Sequence, residues 1–283
     1  MAGREACCDR SAPSTVFIRA RGPNMILNSE LWRLTAKNAR EFPPELSLAI
    51  QRSIDELAAA KTAKRALKAG DCAPDFVLPD TSGRDIALND LLRRGLVVLS
   101  FYRGGWCPYC TIELRAYQAV LPEIRALGAE LVAISPQTRH HSLVTAGENA
   151  LSFPVLSDPG GRVAERFGLN YAVPIALRKL AERCGQRMAG INGADDCRLP
   201  MPATYLIAGG RSIVLAGVDA DFRRRLEPSE VLVALRGIAE AKGLWRRAVL
   251  HADSRSAARA AYVPSPPQPE PQSARARVPL LLS

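Results

Sequence analysis

Residues 96–110 have the sequence Leu-Val-Val-Leu-Ser-Phe-Tyr-Arg-Gly-Gly-Trp-Cys-Pro-Tyr-Cys, and this stretch decides the fold. The apolar run over residues 96–102 is rich in strand-forming residues, which predicts a central strand buried on both faces. Gly104 and Gly105 allow a sharp turn after it. Pro108 suits the first turn of a helix, where a missing N–H costs nothing. The stretch therefore predicts a strand, a turn and a helix, with cysteines where the helix begins.

The two cysteines, Cys107 and Cys110, are separated by two residues. The free N–H groups and the positive dipole of a helix amino terminus favour a thiolate, which is the nucleophilic form of cysteine. Two cysteines at this spacing can also close a small disulfide. The alternatives are two inert core thiols or a zinc site that adds Cys184 and Cys197. The strand–turn–helix context favours redox chemistry.

The composition is that of a globular protein with basic ends. Hydrophobic residues make up 47% of the 283 residues, and more than half of the net charge of +10 lies in residues 1–24 and 244–283. No apolar run approaches the ~20 residues of a membrane span, and no secretory signal is apparent, so a cytoplasmic location is expected. The odd number of cysteines does not suggest a secreted disulfide framework. No recognition motif accompanies the charge, so no specific nucleic-acid partner is expected.

The sequence divides into four segments. These are a disordered extension over residues 1–24, a helical extension over residues 25–68, an α/β domain over residues 69–243, and a disordered tail rich in proline and arginine over residues 244–283. The helical extension is predicted to contain two helices, and the exposed faces of the second, over residues 45–67, would allow a homodimer.

The predicted elements alternate between strands and helices inside the α/β domain. Strands are expected near residues 73–80, 86–88, 96–102, 130–135, 153–158, 200–207 and 212–218. Helices are expected near residues 28–41, 45–67, 108–127, 138–150, 162–168, 176–187 and 227–243. Residues 188–200 are expected to be largely irregular.

This order of elements resembles the thioredoxin fold, a central mixed sheet flanked by helices. Residues 73–78, Ala-Pro-Asp-Phe-Val-Leu, resemble the opening of peroxiredoxins, and residues 102–110 are similar to a peroxiredoxin-like group of the alkyl hydroperoxide reductase (AhpC/TSA) superfamily. Residues 134–138 and 199–205 fit the same group. The resemblance covers roughly residues 45–242. It implies a thiol peroxidase for hydrogen peroxide or organic hydroperoxides, recycled by a thioredoxin- or glutathione-type donor, without a non-protein cofactor.

The resemblance also implies roles for the site residues. Matching residues 101–102 to peroxiredoxins places Cys110 at the position of the peroxide-attacking cysteine. Cys107 then occupies the position of a threonine that binds the peroxide, and Arg103 that of a proline. Pro202 stands where the family has a distal arginine. In this interpretation Cys110 and Cys107 are catalytic and are joined as a redox disulfide after oxidation.

The same segment resembles the sites of thioredoxin and glutaredoxin. The pair Trp106-Cys107 matches the opening of a thioredoxin site, and residues 107–110 are identical to the common glutaredoxin site. Pro202 falls where those families place a cis-proline. In this alternative Cys107 attacks a disulfide and Cys110 resolves it, which makes the chain a thiol–disulfide oxidoreductase. The overall resemblance favours the peroxidase.

Supporting roles are predicted for Arg103, Trp106, Pro202 and Thr204. Arg103 could stabilise a thiolate or a peroxide oxygen, Trp106 could shape the pocket, and Thr204 could offer a hydroxyl near Pro202. The competing interpretations are that Arg103 is a solvent-facing turn residue, that the Trp106 ring is simply packed, and that Thr204 is an ordinary strand residue. The arginines at 223–225 could bind an anion, although a solvated loop is the expectation. No metal or cofactor is predicted.

Overall fold

A computed structural model of the chain describes residues 26–183, 189–193, 198–241 and 243. The expected tails, residues 1–24 and 244–283, lie outside the described residues, and so do Cys184 and Cys197 of the zinc alternative. The described residues up to Ala239 form one compact unit, and those from Glu240 onward belong to a second. Of the second unit the structure describes only 240, 241 and 243, all of them helical. No helix among the described residues is long and apolar enough to cross a membrane.

Short helices and strands alternate along the described chain. The helices are α1 (Ile26–Glu41), α2 (Pro44–Ala59), α3 (Leu88–Arg94), α4 (Pro108–Ala126), α5 (Arg139–Glu148), α6 (Arg162–Arg166), α7 (Ile175–Arg183), α8 (Ala189–Asn192) and α9 (residues 228–241). The strands are β1 (Val77–Pro79), β2 (Asp85–Ala87), β3 (Leu96–Phe101), β4 (Ala129–Ser135), β5 (Val155–Ser157), β6 (Asn170–Ala172), β7 (Arg198–Pro200), β8 (Ala203–Ile207) and β9 (Ile213–Val218).

The main sheet is mixed and has five strands in the order β5-β4-β3-β8-β9. Strand β3 pairs in parallel with β4 and antiparallel with β8, so that Ser100 lies between Ala133 and Thr204. The β3–α4–β4 unit is the parallel strand–helix–strand unit that the sequence predicts. The expected α/β fold, a central mixed sheet flanked by helices, is confirmed.

Strand β3 is the centre of the core, and every one of its residues is buried. Val97, Leu99 and Phe101 face one side of the sheet and pack in a cluster with α3 and α6. Val98 faces the other side and packs in a cluster with residues of α1, α4 and α9. The alternation of side chains along a strand explains how one apolar run serves both clusters. Helix α4, which carries the dithiol, packs on the same face of the sheet as α1.

Two parts of the fold differ from the sequence prediction. The helix expected over residues 45–67 ends at Ala59, because Lys61 adopts a left-handed backbone (φ 53°) and a 3-10 turn follows. Ala66 is then buried in the core, and the Leu67 N–H donates to the carbonyl of Phe167. Tertiary packing thus overrides the helix propensity of the alanines. The region expected to be irregular, residues 188–200, contains α8 and β7, and β7 pairs with β6. Elements of three or four residues give almost no periodic signal, so none of them was predicted.

Candidate active site

The dithiol lies in the loop that joins β3 to α4. Gly104 has a φ of 147°, and a Cβ there would collide with the indole of Trp106. Gly105 packs against Thr145, where a Cβ would collide with the threonine hydroxyl. The Gly105 N–H donates to Gln137 Oε1 at 2.9 Å, which fixes the loop. Glycine is therefore required at position 104 by its positive φ and at position 105 by the close approach of Thr145.

Cys107 is the N-cap residue of α4, and Pro108 begins the helix. The Cys107 carbonyl accepts hydrogen bonds from the N–H groups of Cys110 (2.9 Å) and Thr111 (3.2 Å). Both cysteines are free thiols in the structure. Cys107 is 2% exposed and Cys110 is 0% exposed. The dithiol is thus a buried pair at a helix amino terminus, a position that stabilises a thiolate.

Arg103 points at the first cysteine of the pair. Its Nη1 lies 3.8 Å from Cys107 Sγ, and its guanidinium stands 4.1 Å from the ring centre of Phe222 and 5.1 Å from that of Trp106. Arg103 is buried, so the interpretation as a solvent-facing turn residue is wrong. The flanking rings hold the guanidinium in place by cation–π contacts.

A second buried arginine side chain, that of Arg225, contacts the other cysteine, Cys110. Its Nη2 lies 3.7 Å from Cys110 Sγ, and its Nε donates to Glu113 Oε2 at 2.9 Å. The side chains of Arg225 and Glu113 are 2% and 1% exposed. The expectation of a solvated loop is therefore wrong for Arg225, although Arg224 is exposed. The sequence contains one indication of this arrangement. Glu113 follows Cys110 by one helical turn, which places both side chains on the same face of α4.

The surroundings make the two thiols unequal. A hydrogen bond from the Cys110 side chain, together with the charges of Arg103 and Arg225, lowers the pKa of Cys107 in spite of its burial. Burial raises the pKa of Cys110 well above its usual value, and the neighbouring Cys107 raises it further. The pair therefore holds one proton on Cys110 and one negative charge on Cys107.

The buried carboxyl of Glu113 is also perturbed. Burial raises its pKa to about 7, and the charge of Arg225 offsets only part of that effect. Both the ionised and the protonated carboxyl are therefore populated near neutral pH.

One cavity, here called the cysteine cavity, opens beside Cys107 and has a volume of about 70 Å³. Its lining includes Arg103, Trp106 and Phe222 together with apolar residues of α2, Leu46 and Ile50. The hydroxyl of Tyr109, which also lines it, lies 3.1 Å from Thr35 Oγ1 and accepts a hydrogen bond from Asn38 Nδ2, both on α1. The helical extension thus forms one wall of the cavity.

A second cavity, here called the glutamate cavity, has a volume of about 190 Å³. Glu113, Arg225, Pro202 and Thr204 line it, along with residues of β9 and the start of α9. The Met201–Pro202 peptide is trans, so Pro202 does not form the cis-proline that the resemblance to thioredoxin and glutaredoxin implies. Of the four expected supporting residues, Arg103 and Trp106 therefore lie with Cys107, whereas Pro202 and Thr204 lie with Glu113.

Sequence reasoning missed several residues that shape the site. Glu113 was not singled out, and Arg225 was considered only as part of an arginine run. Phe222, which covers the guanidinium of Arg103, was missed as well. The same is true of Asn192, whose Oδ1 accepts a hydrogen bond of 3.4 Å from Trp106 Nε1. Among the residues that the structure describes, no group of three or more His, Cys, Asp or Glu side chains could hold a metal ion.

The fold and the dithiol define a thioredoxin-fold thiol oxidoreductase. The AhpC/TSA family matches residues 69–214, more than half of the chain, and the chain belongs to this family. The protein is accordingly an oxidoreductase of the thiol peroxidase type.

The chain is similar to three known proteins. A putative peroxiredoxin of Mycobacterium tuberculosis is 36% identical over 172 residues, which cover 61% of this chain and 98% of the relative. Peroxiredoxin Bcp of Escherichia coli is 33% identical over 103 residues, 36% of this chain and 65% of Bcp. The crystal structure of peroxidoxin BcpB from Mycobacterium tuberculosis aligns with a TM-score of 0.48 at 27% identity, covering 61% of this chain and 98% of that chain.

Proposed function

We propose that the protein reduces small hydroperoxides through a dithiol–disulfide cycle of Cys107 and Cys110, and that Cys107 is the attacking thiol. The observation that carries this proposal is the asymmetry of the pair. Cys107 lines the cysteine cavity and faces Arg103, whereas Cys110 is fully buried and does not line that cavity. The lowered pKa of Cys107 supports the same direction of attack.

The cavity suits a small substrate. A volume of about 70 Å³ exceeds the ~10–15 Å³ that one water needs, so a two-oxygen peroxide fits. The Cys107 thiolate attacks the terminal peroxide oxygen, the O–O bond breaks, and the leaving alkoxide or hydroxide takes a proton from water. Cys107 becomes a sulfenic acid. Arg103, 3.8 Å from the sulfur, lies where it can stabilise the charge on the peroxide oxygens.

The cycle then closes within the chain. Cys110 attacks the sulfur of Cys107, the S–O bond breaks, and the hydroxide leaves as water after it gains a proton, so that the Cys107–Cys110 disulfide forms. Two electrons from an external thiol donor restore the dithiol. The narrow cavity favours a glutathione-type donor that inserts one thiol arm, whereas a thioredoxin-type donor would have to displace α2. Such a cycle needs a reducing compartment, which fits the expected cytoplasmic location.

The resemblance to peroxiredoxins implies the opposite order, in which Cys110 attacks the peroxide. Arg225 lies 3.7 Å from Cys110 Sγ and could serve that order as the missing distal arginine. Two features favour Cys107 instead. Both thiols are buried, but only Cys107 lines the cysteine cavity. Burial also raises the pKa of Cys110 well above its usual value, which favours its protonated thiol.

A second candidate function is thiol–disulfide exchange. The lowered pKa of Cys107 is equally suited to attack on a disulfide. A relative named thiol-disulfide oxidoreductase ResA, from Bacillus thuringiensis, is 28% identical over 133 residues, 47% of this chain and 74% of the relative. A protein disulfide needs an exposed thiol, however, and Cys107 is 2% exposed behind Trp106 and α2. This burial favours a small molecule as the substrate.

A homodimer is also part of the proposal. Trp32 on α1 is 71% exposed and Leu48 on α2 is 52% exposed, so both helices present apolar side chains at the surface. Sedimentation analysis would measure the oligomeric state directly. A monomer at micromolar concentration would contradict this part.

Stopped-flow fluorescence of the reduced protein with hydrogen peroxide tests the cycle. We expect a fast phase in the wild type and in Cys110→Ser, none in Cys107→Ser, and a dimedone adduct on Cys107 by mass spectrometry in Cys110→Ser. An adduct on Cys110, formed in Cys107→Ser at the wild-type rate, would reverse the order of attack. If the wild type reacts no faster than a free thiol but reduces insulin disulfides, the second function replaces the first.

A further inference from the structure

The helical extension makes contacts of its own with the active site. The AhpC/TSA family matches residues 69–214, whereas α1 and α2 lie before that range, within residues 26–59. Both helices nevertheless reach the dithiol region, α1 through hydrogen bonds and α2 through apolar side chains. These contacts therefore belong to a part of the chain that the family match does not include.

The start of α1 is anchored to the segment that precedes α9. The Glu227 carboxylate accepts hydrogen bonds from the N–H groups of Leu27 at 3.3 Å and Asn28 at 2.7 Å. N–H groups at this end of a helix have no partner within the helix. The Asn28 side chain also donates to the carbonyl oxygen of Arg225 at 3.0 Å, and the guanidinium of Arg225 contacts Cys110. Helix α1 is thus joined to the segment that faces the buried thiol.

The second half of α1 is attached to the dithiol segment itself. Tyr109 stands between the two cysteines in the sequence, and its hydroxyl lies 3.1 Å from Thr35 Oγ1. The same hydroxyl accepts a hydrogen bond of 3.3 Å from Asn38 Nδ2. Because α1 is held near both ends, it fixes the position from which α2 starts.

Helix α2 contributes apolar side chains to the cysteine cavity. Leu46 and Ile50 line the cavity together with Phe42, which precedes the helix. The spacing of four residues places Leu46 and Ile50 on one face of α2. Cys107 lines the same cavity and is 2% exposed. The three apolar side chains therefore close one side of the space that the attacking sulfur faces.

The size of this space limits what can reach the sulfur. A volume of about 70 Å³ holds ~5 groups the size of a water at ~10–15 Å³ each, which is enough for the thiol arm of a small donor. A thiol on a folded protein brings the surrounding protein surface with it. A helix with its side chains is roughly 10 Å across, so that surface meets α2 before the two sulfurs come within bonding distance.

We propose that the helical extension makes the dithiol selective for low-molecular-weight thiol donors, and that Phe42, Leu46 and Ile50 determine this selectivity. The inference rests on the dithiol cycle proposed above. A small thiolate attacks Cys107 Sγ, the S–S bond breaks, and the Cys110 thiolate takes up the proton that the donor thiol released. A second donor thiolate attacks the donor sulfur of the mixed disulfide. The Cys107 thiolate and the oxidised donor leave, and two electrons have passed to the chain.

The test compares a small donor with a protein donor on the preformed disulfide. The full chain is oxidised with diamide and then mixed with an excess of dithiothreitol or of a reduced bacterial thioredoxin. Samples are quenched in acid and alkylated, and mass spectrometry measures the fraction of Cys107–Cys110 disulfide that remains. The readout is the ratio of the thioredoxin rate to the dithiothreitol rate. In the wild type we expect this ratio to lie far below the ratio for insulin, whose disulfides serve as an uncovered reference.

The double variant Leu46→Ala/Ile50→Ala shortens two of the three side chains. Large-to-small substitutions weaken a packed arrangement. We expect the thioredoxin rate to rise about tenfold, equivalent to about 1.4 kcal/mol, with little change in the dithiothreitol rate. Leu143→Ala makes the same leucine-to-alanine change at an exposed position of α5 and should leave both rates unchanged.

A second variant loosens the extension through its anchor. Tyr109→Phe keeps the ring and removes the hydroxyl that Thr35 and Asn38 contact. It should raise the ratio of the two rates in the same direction. If the double variant does not fold, the result for Tyr109→Phe decides.

The outcomes separate this inference from the peroxidase proposal. Unfolding would raise both rates, whereas displacement of α2 raises the ratio. A wild-type ratio as high as that of insulin would overturn the inference, and so would an unchanged ratio in the folded variants. The assay uses no peroxide, so a wild type that fails to reduce hydroperoxides would end the peroxidase proposal and leave this inference in place. A chain that forms no Cys107–Cys110 disulfide would overturn both.

Discussion

Replacing Arg225 by methionine is expected to destabilise the protein in a way that depends on pH. The substitution removes the partner of Glu113, whose carboxyl is 1% exposed. Breaking a buried ion pair by removing one member costs about 3–5 kcal/mol, because the other charge is left without compensation. Protonation of Glu113 removes the uncompensated charge and so reduces this cost. The loss of stability should therefore be small where the carboxyl is neutral and large where it is ionised.

The sign and the size of this pH dependence follow from the pKa of the Glu113 carboxyl. In the wild type it is raised to about 7, so the stability that this group contributes is present at low pH and is lost as pH rises through 7. Without Arg225 the folded-state pKa rises further, and the loss continues to higher pH at about 1.36 kcal/mol for each pH unit. Between pH 7 and pH 9 the difference in the free energy of unfolding between wild type and variant should grow by as much as about 3 kcal/mol.

Urea unfolding at pH 6 and pH 9, followed by far-ultraviolet circular dichroism under reducing conditions, measures this difference. The double variant Glu113→Gln/Arg225→Met has no buried carboxyl, so its stability relative to wild type should not fall further between the two pH values. Equal destabilisation of Arg225→Met at pH 6 and pH 9 would refute the reasoning. A double variant as unstable as Arg225→Met at pH 9 would refute it as well.

Two further predictions concern the thiols and the loop that carries them. Alkylation of Cys107 by iodoacetamide should follow an apparent pKa of about 5, and a rate that rises only above pH 8 would contradict the assignment. Cys110→Ala should raise that pKa, because alanine cannot donate the hydrogen bond that the Cys110 thiol gives to the Cys107 thiolate. Gly105→Ala should lower both the melting temperature and the peroxidase rate, because the new Cβ collides with Thr145. Gly147→Ala, on a helix with open space around it, should be neutral or stabilising by about 0.5–1 kcal/mol; equal effects of the two alanines would argue against the packing account.

The sequence was sufficient for the features that depend on local order. The apolar run before Gly104 predicted a buried central strand, and β3 is that strand, buried on both faces. Pro108 predicted the start of α4, and Cys107 is its N-cap. Turn residues and periodic apolar residues act within a few positions of the chain, which is why the sheet strands and the principal helices were predicted close to their observed bounds.

Local signals failed where a distant part of the chain decided the outcome. The alanines after Ala59 favour helix, but the burial of Ala66 against the core ends α2 early. Arg225 belongs to a run of arginines that suggests a solvated loop, yet its guanidinium lies in the interior. Its partner Cys110 is 115 positions away in the sequence, so no window of neighbouring residues contains the information.

The dithiol at a strand–helix junction could be read from the sequence, because the strand, the turn and the helix start lie within fifteen consecutive residues. The thioredoxin fold followed from the resemblance in the order of strands and helices. The difference between the two thiols became visible in the folded structure. Arg103 and the cysteine cavity surround Cys107, whereas Glu113 and Arg225 accompany the buried Cys110. The pKa of each thiol depends on charges and burial supplied by segments far apart in the chain, and folding is what brings those segments together.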